Sequence, residues 1–331
     1  MTEPEVAATV ADAKGAGEIK YYGLLHIDRD RNSNANIKWT LRDHVDIYIS
    51  CAGLLAQSAA ALAIPFALFT NEKALIEQRL AALGLGPLEV IEIPFSIDVP
   101  RVKKFYSAHF KIDVIKALAT GHYGEIAGLI DVDTVFMHAF PPDLPELART
   151  GIVAYDVSSD VFPLHYDKRI GQDLELIADC RIERPRWYGG EFLIASREGF
   201  AGLHREIEAC WPRYVANVKS IHHVGDEMAV SAALHRLERR GVPVIDGGVR
   251  GLIARWWSWR TKYRQLSFSE IEKAALIHLP ADKTFLSTQA GRPFSQPAFS
   301  TAFKDHLRAR LPLRRVYALF DPWLLARLDD T

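Results

Sequence analysis

Ile126-Ala127-Gly128-Leu129-Ile130-Asp131-Val132-Asp133-Thr134-Val135-Phe136 is the stretch on which the reading of this chain turns. Its first five residues form a short, unbroken apolar run, which suits a strand buried on both faces. Two aspartates two positions apart follow at once. Residues i and i+2 of a strand point to the same side, so both carboxylates can converge on one point. Two like charges that close repel unless a proton or cation sits between them. A hard divalent cation, Mg2+ or Mn2+, resolves the conflict. Such ions take oxygen ligands, commonly one or two carboxylates plus the phosphates of a substrate. The bland reading is a pair of solvated surface acids. Position argues against it, because α/β sheets bind ligands beyond the carboxyl ends of their strands.

Working upstream, strand and helix patterns alternate. IKYYGLLHI (19–27) reads as a first strand, followed by the polar loop DRDRNSNAN. Residues 45–49 read as a second strand. Residues 54–64 read as a helix closed by Pro65. FALFT (66–70) suits a buried strand. Residues 73–83 carry helical spacing through Leu75, Ile76, Leu80 and Leu83, stopped by Gly84 and Gly86. LEVIEI (88–93) alternates as a strand does. Residues 110–118 read as a helix ending at Gly121. This pace predicts an α/β fold with a mostly parallel central sheet and helices on both faces. The loops after Ile27, Thr70 and Ile130 are then the places for a ligand. Asn32, Ser33 and Asn34 in the first of them suit turn chemistry or contact with a base or ribose. Residues 1–18 offer no large apolar side chain to bury beyond Met1, Val6 and Val10, and read as disordered.

Three downstream segments add chemistry. Trp187-Tyr188-Gly189-Gly190-Glu191-Phe192-Leu193-Ile194 places two glycines ahead of an apolar strand, where they serve as a turn or allow close approach to a ligand. His222-His223-Val224-Gly225-Asp226-Glu227 opens a helix. Its two acids fit stabilisation of the helix N-terminus as well as a site. Ala275-Leu276-Ile277-His278-Leu279-Pro280-Ala281-Asp282-Lys283 is a strand followed by a His and a Lys five positions apart. Arg255-Trp256-Trp257-Ser258-Trp259-Arg260-Thr261-Lys262-Tyr263-Arg264 reads as a packed helix with its arginines reaching to solvent; a glycan, lipid-phosphate or membrane contact is the rival reading.

Composition sets the outer bounds. The chain has 331 residues, 49% hydrophobic and 24% charged, enough for a large core. A formal net charge of −1 gives no overall field for nucleic acid. The cysteines, Cys51, Cys180 and Cys210, form no close pair, which argues against a disulfide framework or structural zinc. The first twenty residues lack the pattern of a secretory signal, and no run of eighteen apolar residues occurs, so the cytoplasm is expected. The tail, residues 287–331, is expected to be helical with breaks at Pro312 and Pro322. Its basic and large apolar residues suit docking on the domain, an oligomer contact, or peripheral attachment to the inner face of a membrane.

Taken in order, AHFKIDVIKAL, LIDVDTVFM, WYGGEFLIAS, VGDEMAV and IHLPADKTF resemble segments of the nucleotide-sugar glycosyltransferases of the GT-A fold. The nearest likeness is to the glycogenin and bacterial lipopolysaccharide galactosyltransferase families. It spans residues 21–286, with the Asp131 segment the closest match. The resemblance implies a Rossmann-like GT-A domain over residues 19–286. It implies Asp131, Asp133 and His278 as ligands of Mn2+ or Mg2+, and Lys283 on the diphosphate. Lys111 or Arg101 would add positive charge there. Gly189 and Gly190 would line the donor sugar, and Asp226 or Glu227 would act at the reaction centre. A UDP-sugar donor, a glycan or lipid-linked acceptor, a role in surface polysaccharide synthesis and retention of anomeric configuration are the associated expectations. The chain departs from the pattern at Ala281, Phe285, Glu227 and the loop HIDRDRNSN. The rivals are a nucleotidyltransferase making activated sugars, which usually has a Gly-rich loop after its first strand, and a non-catalytic carbohydrate-binding scaffold of the same fold.

Overall fold

The computed structural model describes residues 18–28, 41–99, 106–161, 167–258 and 265–318. The reading of residues 1–17 as disordered lies outside these, as do Asn32, Ser33, Asn34, Arg101 and Trp259. Ten strands are described: β1 (Lys20–Leu25), β2 (Phe66–Thr70), β3 (Glu89–Glu92), β4 (Ile126–Ile130), β5 (Thr134–Phe136), β6 (Ile152–Asp156), β7 (Tyr188–Ser196), β8 (Val244–Asp246), β9 (Ile253–Arg255) and β10 (Leu276–His278). Between them lie α1 (Leu41–Ala61), α2 (Lys73–Ala82), α3 (Lys111–Leu118), α4 (Leu144–Thr150), α5 (Ser158–Val161) and α6 (Asp167–Ala178). Then come α7 (Arg197–Asn217), α8 (Asp226–Arg239), α9 (Phe268–Ile271), α10 (Lys283–Gln289) and α11 (Gln296–Ala318).

Seven strands form one sheet in the order β3-β2-β1-β4-β7-β6-β8. β7 pairs antiparallel with both β4 and β6, and every other pair in this sheet is parallel. The fold is therefore α/β, with a mostly parallel mixed sheet compatible with a Rossmann-like arrangement. β4 shows how the sheet is covered. Ile126 and Ile130 pack with Tyr21, Leu55 and Phe136, while Ala127 and Leu129 pack with Tyr22, Ile112 and Phe200 on the other face. Alternation thus buries β4 against helices on both sides. The chain passes from β1 to β2 on one side of β1, and β4 lies on the other, so the strand order reverses between β1 and β4. Crevices at such reversals bind ligands beyond the strand ends. A second sheet of three strands, β5-β10-β9, stands at that end.

Two local expectations are corrected. Residues 45–49 lie inside α1 rather than in a strand. The alternating Val45, Ile47 and Ile49 imitate a strand, but the run continues into Cys51, Leu54 and Leu55, all buried. A helix buried around most of its girth wins over a short alternation. The segment predicted as a helix from Arg255 does not begin as one; its residues 259–264 lie outside the described ones. Arg255 closes β9, and Trp256 is buried with its Nε1 donating to the Leu266 carbonyl at 3.1 Å.

Within residues 287–331, the end of α10 is followed by α11, which continues through Pro312 rather than breaking there. Phe299 and Phe303 join a cluster with Leu54, Val135, Trp256 and Phe285. Phe303 is fully buried, 4.6 Å from the Phe268 ring and 5.2 Å from Phe285 between centroids. Phe303→Ala should cost about 3–5 kcal/mol, read as a lower denaturation midpoint in urea. Residues 319–331 lie outside the described ones. No helix among the described residues is long and apolar enough to cross a membrane.

Candidate metal centre

Asp131 follows β4 directly and starts a turn into β5. The turn is closed by Thr134, whose backbone N–H and hydroxyl donate to the Asp131 carbonyl at 3.3 and 2.7 Å. The two carboxylates converge because the chain turns there, not because a strand pleats. β10 pairs antiparallel with β5, with His278 opposite Thr134. The Leu279 N–H donates to the Asp133 carbonyl at 3.1 Å, which holds the imidazole beside that carboxylate. Ligand atoms of Asp131, Asp133 and His278 all lie within 4.8 Å of one another. The side chain of Asp131 keeps 27% of its surface exposed, against 6% for Asp133. The cluster therefore opens to the outside on the Asp131 side.

Two lysines flank it, each the first residue of a helix. Lys111 opens α3 and reaches Asp131 at 2.6 Å, Asp226 at 3.3 Å and the Gly190 carbonyl at 2.8 Å. Lys283 opens α10, pairs with Asp133 and donates to the Pro280 carbonyl at 2.9 Å. Asp226, the first residue of α8, shares Lys111 with Asp131. Among the described residues its buried Oδ2 accepts no well-formed hydrogen bond. Glu227 is turned elsewhere. Its Oε1 accepts from the Gly190 N–H at 3.3 Å and from Arg255 at 3.2 Å, and its Oε2 accepts from Trp187 Nε1 at 3.0 Å. His223 lies 3.7 Å from the same carboxylate, whereas the His222 backbone N–H donates to Asp173.

The remaining part of the cluster is Glu191, buried in the otherwise apolar β7. It accepts from Arg255 Nε at 2.5 Å and Nη2 at 2.6 Å, and faces His278 Nδ1 at 3.1 Å. β7 reaches the site through an irregularity. Its pairing with β6 jumps from Leu193 to Gly189, so residues 190–192 leave that ladder. Such bulges re-aim side chains beside sites. Gly189 and Gly190 supply the room. A Cβ at 189 would overlap the Glu191 carboxylate and lie 2.7 Å from Arg255; one at 190 would overlap the Asp226 carboxylate and lie 3.0 Å from Lys111 Nζ. The two glycines predicted to admit a ligand are thus filled over by the site's own acids.

Burial and neighbouring charges pull these groups apart. Burial acts to raise Asp133, but Lys283 and His278 outweigh it and hold the carboxyl well below the usual range. Asp131 goes up, by burial first and the Asp133 charge after it, against the pull of Lys111. Asp226 also goes up through burial, opposed by Lys111. Burial would lower His278, yet Asp133 and Glu191 lift it to about 9. The Glu191 carboxyl is depressed despite burial, by Arg255 and His278. Such spreading of pKa values is typical of functional sites.

The site thus unites Asp131, Asp133, His278, Lys111, Lys283 and Asp226 with Gly189, Gly190 and Glu227 close by, as the sequence suggests. Sequence reading gave no role to Glu191 and left Arg255 in an aromatic, basic segment. A carboxylate inside an apolar strand was the available signal, since a buried charge requires a partner. No protein-family model matches this chain, and no curated protein matches it.

Proposed function

We propose that this chain is a metal-dependent glycosyltransferase, moving a sugar from a nucleotide diphospho-sugar, UDP-linked by preference, to a glycan or lipid-linked acceptor. One observation carries the reading. Two carboxylates and an imidazole converge at the carboxyl end of β4, beside the strand-order reversal, with a lysine on either flank. Two oxygens and one imidazole nitrogen fit Mn2+ better than Mg2+, which prefers oxygen alone. Asp131, Asp133 and His278 would hold the ion, which when bound supplies Lewis-acid stabilisation to a departing diphosphate.

The chain's own residues do the rest. Lys111 and Lys283 neutralise the two aspartates, and their ammonium groups are placed to pair with phosphate oxygens once those carboxylates are otherwise engaged. Asp226 is the acid we assign to the sugar face, because it shares Lys111 with Asp131. Glu227 is assigned a bracing role, since Arg255, Trp187 and the Gly190 N–H occupy its oxygens. Binding energy spent on positioning donor and acceptor supplies the remainder of the rate.

The test is a thermal-shift screen of nucleotide diphospho-sugars with and without Mn2+. A ligand held only by the native state at a hundred times its Kd stabilises by about 2.7 kcal/mol. A UDP-sugar should raise the melting temperature with Mn2+ and not in EDTA. A flat response to every nucleotide diphospho-sugar, with Mn2+ present, would sink the proposal.

A further inference from the structure

The geometry points to Glu191 as a positioning residue: held by Arg255, it fixes the His278 ring so that Nδ1 carries the proton and Nε2 is presented to the metal. The inference deepens the proposed function and rests on its metal reading of Asp131, Asp133 and His278.

Three observations support it. His278 faces Glu191 through Nδ1 at 3.1 Å and Asp133 through Nε2 at 3.3 Å, so both nitrogens look at carboxylates, but only Asp133 belongs to the candidate ligand set. A cation held between Asp131 and Asp133 would take the place of the Nε2 proton, while Glu191, engaged by Arg255 and away from that set, keeps the proton on Nδ1. Glu191 is itself locked. Arg255 grips both of its oxygens, and Arg255 has a further anchor in Glu227. Third, the strand is shaped around this carboxylate. Gly189 leaves the space into which the Glu191 carboxylate folds, and the bulge at residues 190–192 frees the strand to present it. Metal-binding histidines commonly donate their second N–H to a carboxylate, and losing that partner typically lowers metal affinity 10–100-fold. The arrangement also joins the ligand set to α8. Glu191, Arg255 and Glu227 form a continuous chain from His278 to the helix that carries Asp226.

A plain buried ion pair would predict something different: a loss of stability with no change at the metal. The test is Mn2+ titration of wild type and Glu191→Gln, with free Mn2+ followed by electron paramagnetic resonance. Folding is followed by circular dichroism. Affinity should fall 10–100-fold in folded Glu191→Gln. Nitrogen-15 spectra of histidine-labelled wild type with Mg2+ give a second readout that needs no variant, and should show His278 protonated on Nδ1. A proton on Nε2, or Mn2+ affinity unchanged in the variant while wild type binds, overturns this inference alone. Wild type that binds neither ion overturns the metal reading and this inference together.

Discussion

Asp133→Asn should give a protein whose melting temperature no longer responds to Mn2+ and whose sugar transfer falls by about a thousandfold, since metal stabilisation of a leaving group is worth several kcal/mol. It should also unfold more readily. Asp133 is buried and answers two cationic groups, Lys283 and His278. Removing one partner of a buried ion pair costs about 3–5 kcal/mol. Asp131→Asn makes the informative contrast. Asp131 is more exposed, and its partner Lys111 retains Asp226. The same loss of Mn2+ response should therefore come with a stability cost of only about 1 kcal/mol. Full transfer in EDTA, or an undiminished Mn2+ shift in both variants, would rule the metal role out.

Gly189→Ala and Gly190→Ala should each abolish the Mn2+ response while the site's acids stay in the chain. Neither new methyl group has room, and the atoms in its way are ends of side chains locked by ion pairs. Overpacking of this kind costs about 1–3 kcal/mol. Displaced carboxylates should add the functional loss, because a site out of place by about 1 Å can lose a hundredfold in rate. Gly86→Ala is the control. Its Cβ would meet nothing within 4 Å, so stability should stay within about 0.5 kcal/mol. Normal Mn2+ binding by both site variants would show that the acids tolerate displacement.

Much of this was legible because the sheet is buried on both sides. Uninterrupted apolar runs such as 126–130 and 66–70 fixed the strands, and glycine and proline marked their ends. Gly84, at a φ of +64°, stops α2 where its sequence position suggests. The pairing of Asp131 with Asp133 was also legible, though the reason differs. A turn rather than a pleat brings them together, and local spacing is similar for both. The failures have a common origin. In the α1 segment, Val45, Ile47 and Ile49 obey a two-residue period over too short a window to outweigh tertiary burial. At Glu191, nothing local identifies the partner, because Arg255 and His278 arrive from distant strands. Long-range ion pairs leave no periodic trace, so a buried acid can be noticed in a sequence but not matched to its cation.

The antiparallel pairing of β10 with β5 has a consequence for how the protein comes into being. The candidate metal-binding set joins Asp131 and Asp133, set early in the chain, to His278, which arrives much later. Contacts between segments so far apart must repay a large loop-closure entropy and form slowly. During synthesis, a ribosome would release β1 through β8 before the last ligand had emerged. On the proposed metal reading, acquisition of the ion would be among the final events of maturation, and a nascent chain stalled ahead of β10 should have nowhere to keep it.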